Sequence, residues 1–274
     1  MDARLPTVSV VVPYAGSRAH LEAVLRAILE TEYPADLLQV VVVECPSAAR
    51  RPVAWRLVAA RMDSRWIRDS RTGFSPASAR NAGIAAAGGS IIVGLDGDMV
   101  TSPGHILAHV RHHQLGGRVV SLGLRRFIAL PNRPPGSAVF GRLSGRPDIP
   151  TSVSNRFGHR LDWRGRHIVD VSGHAAPYEL ALGCNTAYPK AAAIEVGGWS
   201  TAFDGWFGYE DIEFASRLLQ AGCQFAWASG AEALHLEDER SRDWKADRRR
   251  NFDLACRLIP GFREYRRTNR EVGG

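Results

Sequence analysis

The tripeptide Asp96-Gly97-Asp98 follows the apolar run Ser90-Ile91-Ile92-Val93-Gly94-Leu95, so two carboxylates stand where a buried strand meets solvent. Oxygen ligands at such a place suit Mg²⁺ or Mn²⁺, a cation commonly shared with the phosphates of a nucleotide. The same residues also suit a plain turn, because Asp and Gly are the usual turn formers after a strand. A second pair of acids, Glu210-Asp211, follows the glycine- and aromatic-rich stretch Phe203-Asp204-Gly205-Trp206-Phe207-Gly208-Tyr209. With Glu213 it begins a helix, where the helix dipole stabilises acids in the first turn.

The elements that must position these residues alternate. Residues 8–12 form a run of valines broken only by Ser9, as in a strand buried on both faces. A helix follows, which Ser17 can cap and whose apolar face is Leu21, Val24, Leu25 and Ile28, with Pro34 just after its end. Residues 37–43 read as a second buried strand closed by Glu44-Cys45-Pro46, 48–60 as a helix, and 66–67 as a short strand. Ser75-Pro76 supplies an N-cap and a proline at the first helical position, starting a helix through residue 87 that Gly88-Gly89 terminates. Alternation of this kind implies an α/β fold with a mainly parallel central sheet and helices on both faces. Ligands in such sheets bind beyond the carboxyl ends of the strands. Pro13-Tyr14, Glu44 and Asp96 to Asp98 all stand at those ends and should share one crevice.

Periodicity is lost between residues 125 and 177, a stretch long enough to be a functional loop or a disordered one. Structure should return at 178–188, with a short helix next, then Gly197-Gly198-Trp199, a helix at 210–221, a strand at 224–228 and a last helix at about 243–258 that stops at Pro260-Gly261. The expected organisation is three parts, residues 1–124, 125–240, and 241–274 as a basic C-terminal helix and tail.

The 274 residues carry a formal charge of +7, which favours an anionic ligand or surface. The four cysteines show no metal-type or C-x-x-C spacing, and reduced thiols in a cytoplasmic protein are expected. Residues 1–6 lack the apolar core of a signal peptide, and no segment reaches the roughly 20 apolar residues of a membrane span. Arginines crowd the stretch from Arg118 to His167 and recur at Arg248-Arg249-Arg250, Arg263, Arg266 and Arg267.

Val10-Val11-Val12-Pro13-Tyr14, Ala79-Arg80-Asn81-Ala82-Gly83, Asp96-Gly97-Asp98, Gly197-Gly198-Trp199, Glu210-Asp211 and His235 occur in one order that resembles the nucleotide-sugar glycosyltransferases of GT-A fold. The likeness is to the large inverting group related to family 2, with a galactosyltransferase-type C-terminal region, and it covers residues 8–236. It implies that residues 1–124 are a nucleotide-sugar-binding half and 125–240 an acceptor-binding and catalytic half, and that a sugar passes from a nucleoside-diphosphate sugar, UDP-sugar favoured, to an acceptor hydroxyl. It also implies that Asp98 and His235 hold Mn²⁺ or Mg²⁺, with Asp96 facing the ribose or the water shell of the metal. Asp211 becomes the general base and Glu210 the group that positions acceptor or donor. Pro13, Tyr14, Glu44, Arg80, Asn81, Gly183 and Asn185 become donor contacts. Trp206, Phe207 and Tyr209 become sugar-stacking acceptor contacts. Arg80 could pair with the diphosphate or the base, or simply be an exposed helical arginine. Cys45-Pro46 departs from the common Asp-Asp-Gly-Ser continuation after the acid at position 44.

A sugar-phosphate nucleotidyltransferase would also set a metal-binding Asp at the end of such a sheet. It would normally carry a Gly-rich basic loop after the first strand, and Pro13-Tyr14-Ala15-Gly16-Ser17-Arg18 matches that poorly. Basic charge alone would also suit nucleic acid, but no binding motif accompanies it and none is expected as a partner. The arginine-rich segment could instead form a lid for an anionic acceptor, such as a natural product or a phosphorylated lipid carrier, and the tail could touch the inner face of an anionic membrane. Both could equally be solvated faces.

Overall fold

The computed structural model describes residues 5–46, 51–69, 71, 73–114, 117–129, 160–162, 164, 171, 173–237 and 244–269. Its frame is β1 (Val8–Tyr14), buried at every residue except the half-buried Pro13. Successive side chains on a strand point to opposite faces. Val8, Val10 and Val12 therefore pack with Leu21, Val24, Leu25 and Ile28 of α1 (Arg18–Leu29), whereas Val11 packs with Ala77, Ala79 and Ile84 of α3 (Pro76–Ala86). β2 (Leu38–Glu44) divides in the same way, with Val40 and Val42 on the first face and Val41 and Val43 on the second. Both faces of the sheet are thus covered, as the valine-rich runs predict.

α2 (Ala54–Arg61) leads to β3 (Asp63–Arg68), and α3 to β4 (Ile91–Leu95). After β5 (Met99–Thr101) and α4 (His105–Val110) come β6 (Val119–Leu122), β7 (Arg125–Ala129) and β8 (Arg160–Leu161). The second half adds β9 (Asn185–Pro189), α5 (Lys190–Glu195), α6 (Glu210–Gln220), β10 (Gln224–Trp227) and β11 (Ala233–Glu237). The larger sheet has the order β10-β6-β9-β4-β1-β2-β3, and the smaller one β5-β11-β7-β8. In the larger sheet β9 runs antiparallel between β4 and β6, while the other described pairs are parallel. Strands from both sides of residue 124 therefore share both sheets. Chain order reverses at β1, with β2 on one side and β4 on the other, which opens a crevice at their carboxyl ends.

Two capping expectations fail. Ser17 makes no side-chain hydrogen bond to α1. Ser75 makes none to α3; its hydroxyl donates to Asp69 Oδ2 at 3.3 Å. The cap of α3 is instead Asp204, whose carboxylate accepts from the N–H of Ala77 at 3.0 Å and of Ser78 at 3.2 Å, and from the Ser78 hydroxyl. A cap from 127 residues away leaves no local signature.

Within the stretch where periodicity is lost, β7 forms because its partner is the distant β11, in parallel register from Arg125↔Ala233 to Ala129↔Glu237. Residues 48–50, and Arg133, Arg142, Arg146, Arg156 and Arg166, lie outside the described residues, so most of the expected acceptor lid does too. The last helix, α7 (Trp244–Leu258), is followed by α8 (Phe262–Thr268), where a plain tail was expected. Gly261, with φ of 70°, makes the turn between them. Among the described residues no helix is long and apolar enough to cross a membrane.

Asp204→Ala should cost about 1–2 kcal/mol in urea unfolding, as expected for loss of an N-cap, and Asp204→Asn less.

Candidate active site

Asp96-Gly97-Asp98 turns the chain from β4 into β5, with the N–H of Met99 donating to Asp96 O at 3.0 Å. β5 pairs antiparallel with β11, opposing Met99 to His235, and Leu236 N donates to Asp98 O at 3.0 Å. This pairing brings His235 Nε2 to 3.6 Å from Asp98 Oδ2. Asp98 Oδ1 is shielded from solvent and has no hydrogen-bond partner among the described residues, while the side chain as a whole keeps 36% exposure. One oxygen without a partner, a second oxygen beside an imidazole and an open side suit a cation that also binds a ligand. The described residues hold no cluster of three or more potential ligands, so phosphate or water would complete the coordination. Burial first, and Asp96 next, push the Asp98 carboxyl up to about 7.

Arg80 is not an exposed helical arginine. It is 5% exposed, donates from Nη2 to Asp96 Oδ1 at 3.0 Å and from Nη1 to Glu210 Oε1 at 3.1 Å, and lies 4.7 Å from the Trp199 ring centroid. Burial alone would lower its pKa, but Asp96, Glu210 and Asp211 more than offset that and raise it. Its guanidinium is therefore paired within the protein, with Asp96 on one side and Glu210 on the other. Gly183 is small for a related reason. A Cβ there would stand 2.9 Å from Trp199 and 3.0 Å from Arg80.

Glu210 and Asp211 open α6 behind a turn in which Gly205, Gly208 and Tyr209 have φ of 92°, 91° and 71°. Tyr209 is the one non-glycine residue with positive φ among the described residues, a conformation costing about 1–2 kcal/mol. Asp211 Oδ1 accepts from the N–H of Ile212 at 2.9 Å and Oδ2 from that of Gly183 at 3.4 Å. Burial raises the Asp211 carboxyl above its ordinary range, opposed by Arg80. Burial, then Asp211, pushes Glu210 up to about 7 against the pull of Arg80. A carboxylate whose charged form is disfavoured is the stronger base.

The expected donor and acceptor contacts divide. Tyr14 and Glu44 face each other in register at the ends of β1 and β2, beside Pro13. Glu44 Oε2 accepts from Trp66 Nε1 at 2.6 Å, with Arg68 Nε 3.8 Å away. Trp206 and Phe207 are 38% and 42% exposed, with Arg250 4.1 Å over the Trp206 ring and Phe74 6.4 Å from the Phe207 ring, centroid to centroid. Tyr209 is not exposed, because its ring is buried against Phe252 and Phe262. Asn81 exchanges two hydrogen bonds with the Trp199 backbone, which makes it a link between α3 and the Gly197-Gly198-Trp199 turn. Asn185 is a second correction. Its amide donates to Leu124 O and Ala231 O and accepts from His105 and His109, so no hydrogen-bonding capacity remains for a donor.

Several site-shaping residues escaped the sequence reading. Arg125 donates to Cys184 Sγ at 3.6 Å and is held at raised pKa, despite burial, by Cys184, Asp162 and Asp211. Arg164, fully buried, binds Asp162, Leu180 O and Gly123 O. These two members of the basic segment are thus structural ties. No local pattern separates them from exposed arginines.

The family model described as "Glycosyltransferase like family 2" matches residues 6–253. Chondroitin synthase of Escherichia coli is 24% identical over 274 residues, spanning 93% of this chain, and the chain spans 38% of that relative's length. The mannosyltransferase PcManGT from Pyrobaculum calidifontis, solved with GDP-Man and Mn²⁺, superposes with a TM-score of 0.56 at 20% identity over 90% of this chain and 61% of that one. GalNAc-T7, solved with UDP, GalNAc and Mn²⁺, gives 0.60 at 14% identity over 86% and 45%. These likenesses establish the GT-A fold.

Arg80→Met should lower stability by about 3 kcal/mol or more in urea unfolding, because it leaves Asp96 and Glu210 facing each other without a cation. A carboxyl with raised pKa stabilises the folded state fully below its unfolded pKa, and that contribution is lost as pH rises through the folded one. Asp98→Asn should therefore flatten the fall in stability of the metal-free protein between about pH 4 and pH 7, read from thermal unfolding at stepped pH. With its motif order, sheet topology and family match in agreement, this chain belongs to the glycosyltransferase like family 2.

Proposed function

We propose that this protein transfers a sugar from a nucleoside-diphosphate sugar to an acceptor hydroxyl, with inversion at the sugar carbon. The observation that carries the reading is the convergence of Asp98 with His235 and of Glu210 with Asp211 at one end of β4, linked by Arg80. Asp98 and His235 would hold a divalent cation, Mn²⁺ or Mg²⁺, which when bound stabilises the charge of a departing diphosphate. Asp211 takes the proton from the acceptor hydroxyl as its oxygen bonds to the sugar carbon, and its raised pKa suits that task. Glu210, fixed by Arg80, orients the reactants beside it.

Mn²⁺ in the PcManGT and GalNAc-T7 structures supports the cation. UDP in the second supports a uridine donor, whereas GDP-Man in the first makes guanosine the alternative to test. The base would meet Tyr14 and Glu44, and Trp206 and Phe207 would stack on the acceptor. An anionic acceptor suits the +7 charge, and the arginines of α7 and α8 suit peripheral contact with an anionic membrane.

A thermal-shift panel of UDP, GDP and their sugars, with and without Mn²⁺, tests the donor, since binding raises apparent stability by mass action. Stabilisation by nucleoside triphosphate plus sugar phosphate instead would favour a nucleotidyltransferase and sink this reading. Asp98→Ala should abolish the Mn²⁺-dependent part of the shift. Asp211→Asn should keep the shift and lose at least 100-fold in kcat, in the range of general-base catalysis; near-normal transfer by this variant would remove Asp211 as the base.

A further inference from the structure

The turn that delivers Glu210 and Asp211 is held from outside the catalytic half, by one side chain of α7. Asn251 is fully buried, and its Nδ2 lies 3.3 Å from Phe203 O, 3.2 Å from Trp206 O and 2.9 Å from Gly208 O. Three carbonyls converging on one atom identify that atom as the amide nitrogen, since an oxygen there would be repelled. Asn251 Oδ1 has no hydrogen-bond partner among the described residues, so the side chain is oriented wholly by the turn.

Helices α7 and α8 also hold the turn's side chains. Phe252 of α7 and Phe262 of α8 pack on the Tyr209 ring at centroid distances of 5.7 and 6.1 Å, and the Arg248 guanidinium lies 5.6 Å from it. Arg250 lies 4.1 Å over Trp206. Tyr209, in its left-handed conformation, directly precedes Glu210 as the N-cap of α6.

We propose that Asn251 is a positioning residue for the reaction: by gathering three carbonyls of the 203–209 turn, it fixes the orientation in which α6 presents Glu210 and Asp211. This rests on the proposed role of Asp211, and it makes the C-terminal helices part of the active-site frame. Misplacing a reacting group by about 1 Å can lower the rate by roughly 100-fold without removing any catalytic atom.

Asn251→Asp keeps the volume and replaces the donor with an acceptor; Asn251→Ala removes the group; Asn251→Ser retains one donor. Amide hydrogen exchange of the full chain, read by mass spectrometry, should quicken at least tenfold across residues 203–211 in the Asp and Ala variants, with β1 and β4 unchanged and the Ser variant between. Unchanged exchange in the turn, or faster exchange spread evenly over the chain, overturns the proposal. In turnover assays kcat should fall at least tenfold while KM for the nucleotide sugar stays within twofold, and Asn251→Ser should recover part of the loss. An unchanged kcat, or a loss carried by KM, overturns it as well. Exchange needs no substrate. A wild-type protein that transfers no sugar would sink the glycosyltransferase reading and leave the hold of Asn251 on the turn to be judged by exchange.

Discussion

A guanidinium with almost no access to water sits between two carboxylates that come from opposite halves of the chain. A buried charge is tolerated only when it is paired and hydrogen-bonded, and Arg80 meets that condition through Asp96 on one side and Glu210 on the other. The constraint works in both directions. Asp96 is held at the end of β4, which sets the turn that carries Asp98, and Glu210 is held at the start of α6, which sets Asp211. Trp199 lies against the cation and Gly183 leaves room for it, so glycine and tryptophan here serve an arginine before they serve any ligand.

The acids of the site are thereby separated in character. Asp96 has a fixed cationic partner at 3.0 Å, and its neighbour Asp98 has a shielded oxygen with no such partner. Groups of one chemical type placed in contrasting environments are how a single cleft can bind a cation and accept a proton at the same pH.

Much of this was legible in the chain. The valine runs of β1 and β2 announced strands buried on both faces, and the apolar stripe of α1 announced the helix that covers one of them. The order of the motifs paired Asp98 with His235, and the structure sets the two 3.6 Å apart. What stayed hidden depends on partners distant in sequence. Asp204 caps a helix that local reading assigned to Ser75, and Asn185 and Asn81 carry motif-like positions but use their amides on backbone and histidines. Asn251 sits in an arginine-rich helix with no pattern to mark it. A periodic signal reports which face of an element is buried, whereas the partner of a polar side chain is decided by tertiary geometry.

Strand β9 closes the larger sheet antiparallel between β4 and β6, and it carries Asn185, to which buried His105 and His109 are bound. During synthesis β4 and β6 emerge well before β9, so each waits with a bare edge, and the two histidines wait without an acceptor. Bare edges invite pairing with another chain, and the long loop must close before its contacts repay the lost freedom. The first half of this protein is therefore an unfinished sheet until the second half is made. Strand β9 bridges β4 and β6, and β10 and β11, later still, complete the two sheets.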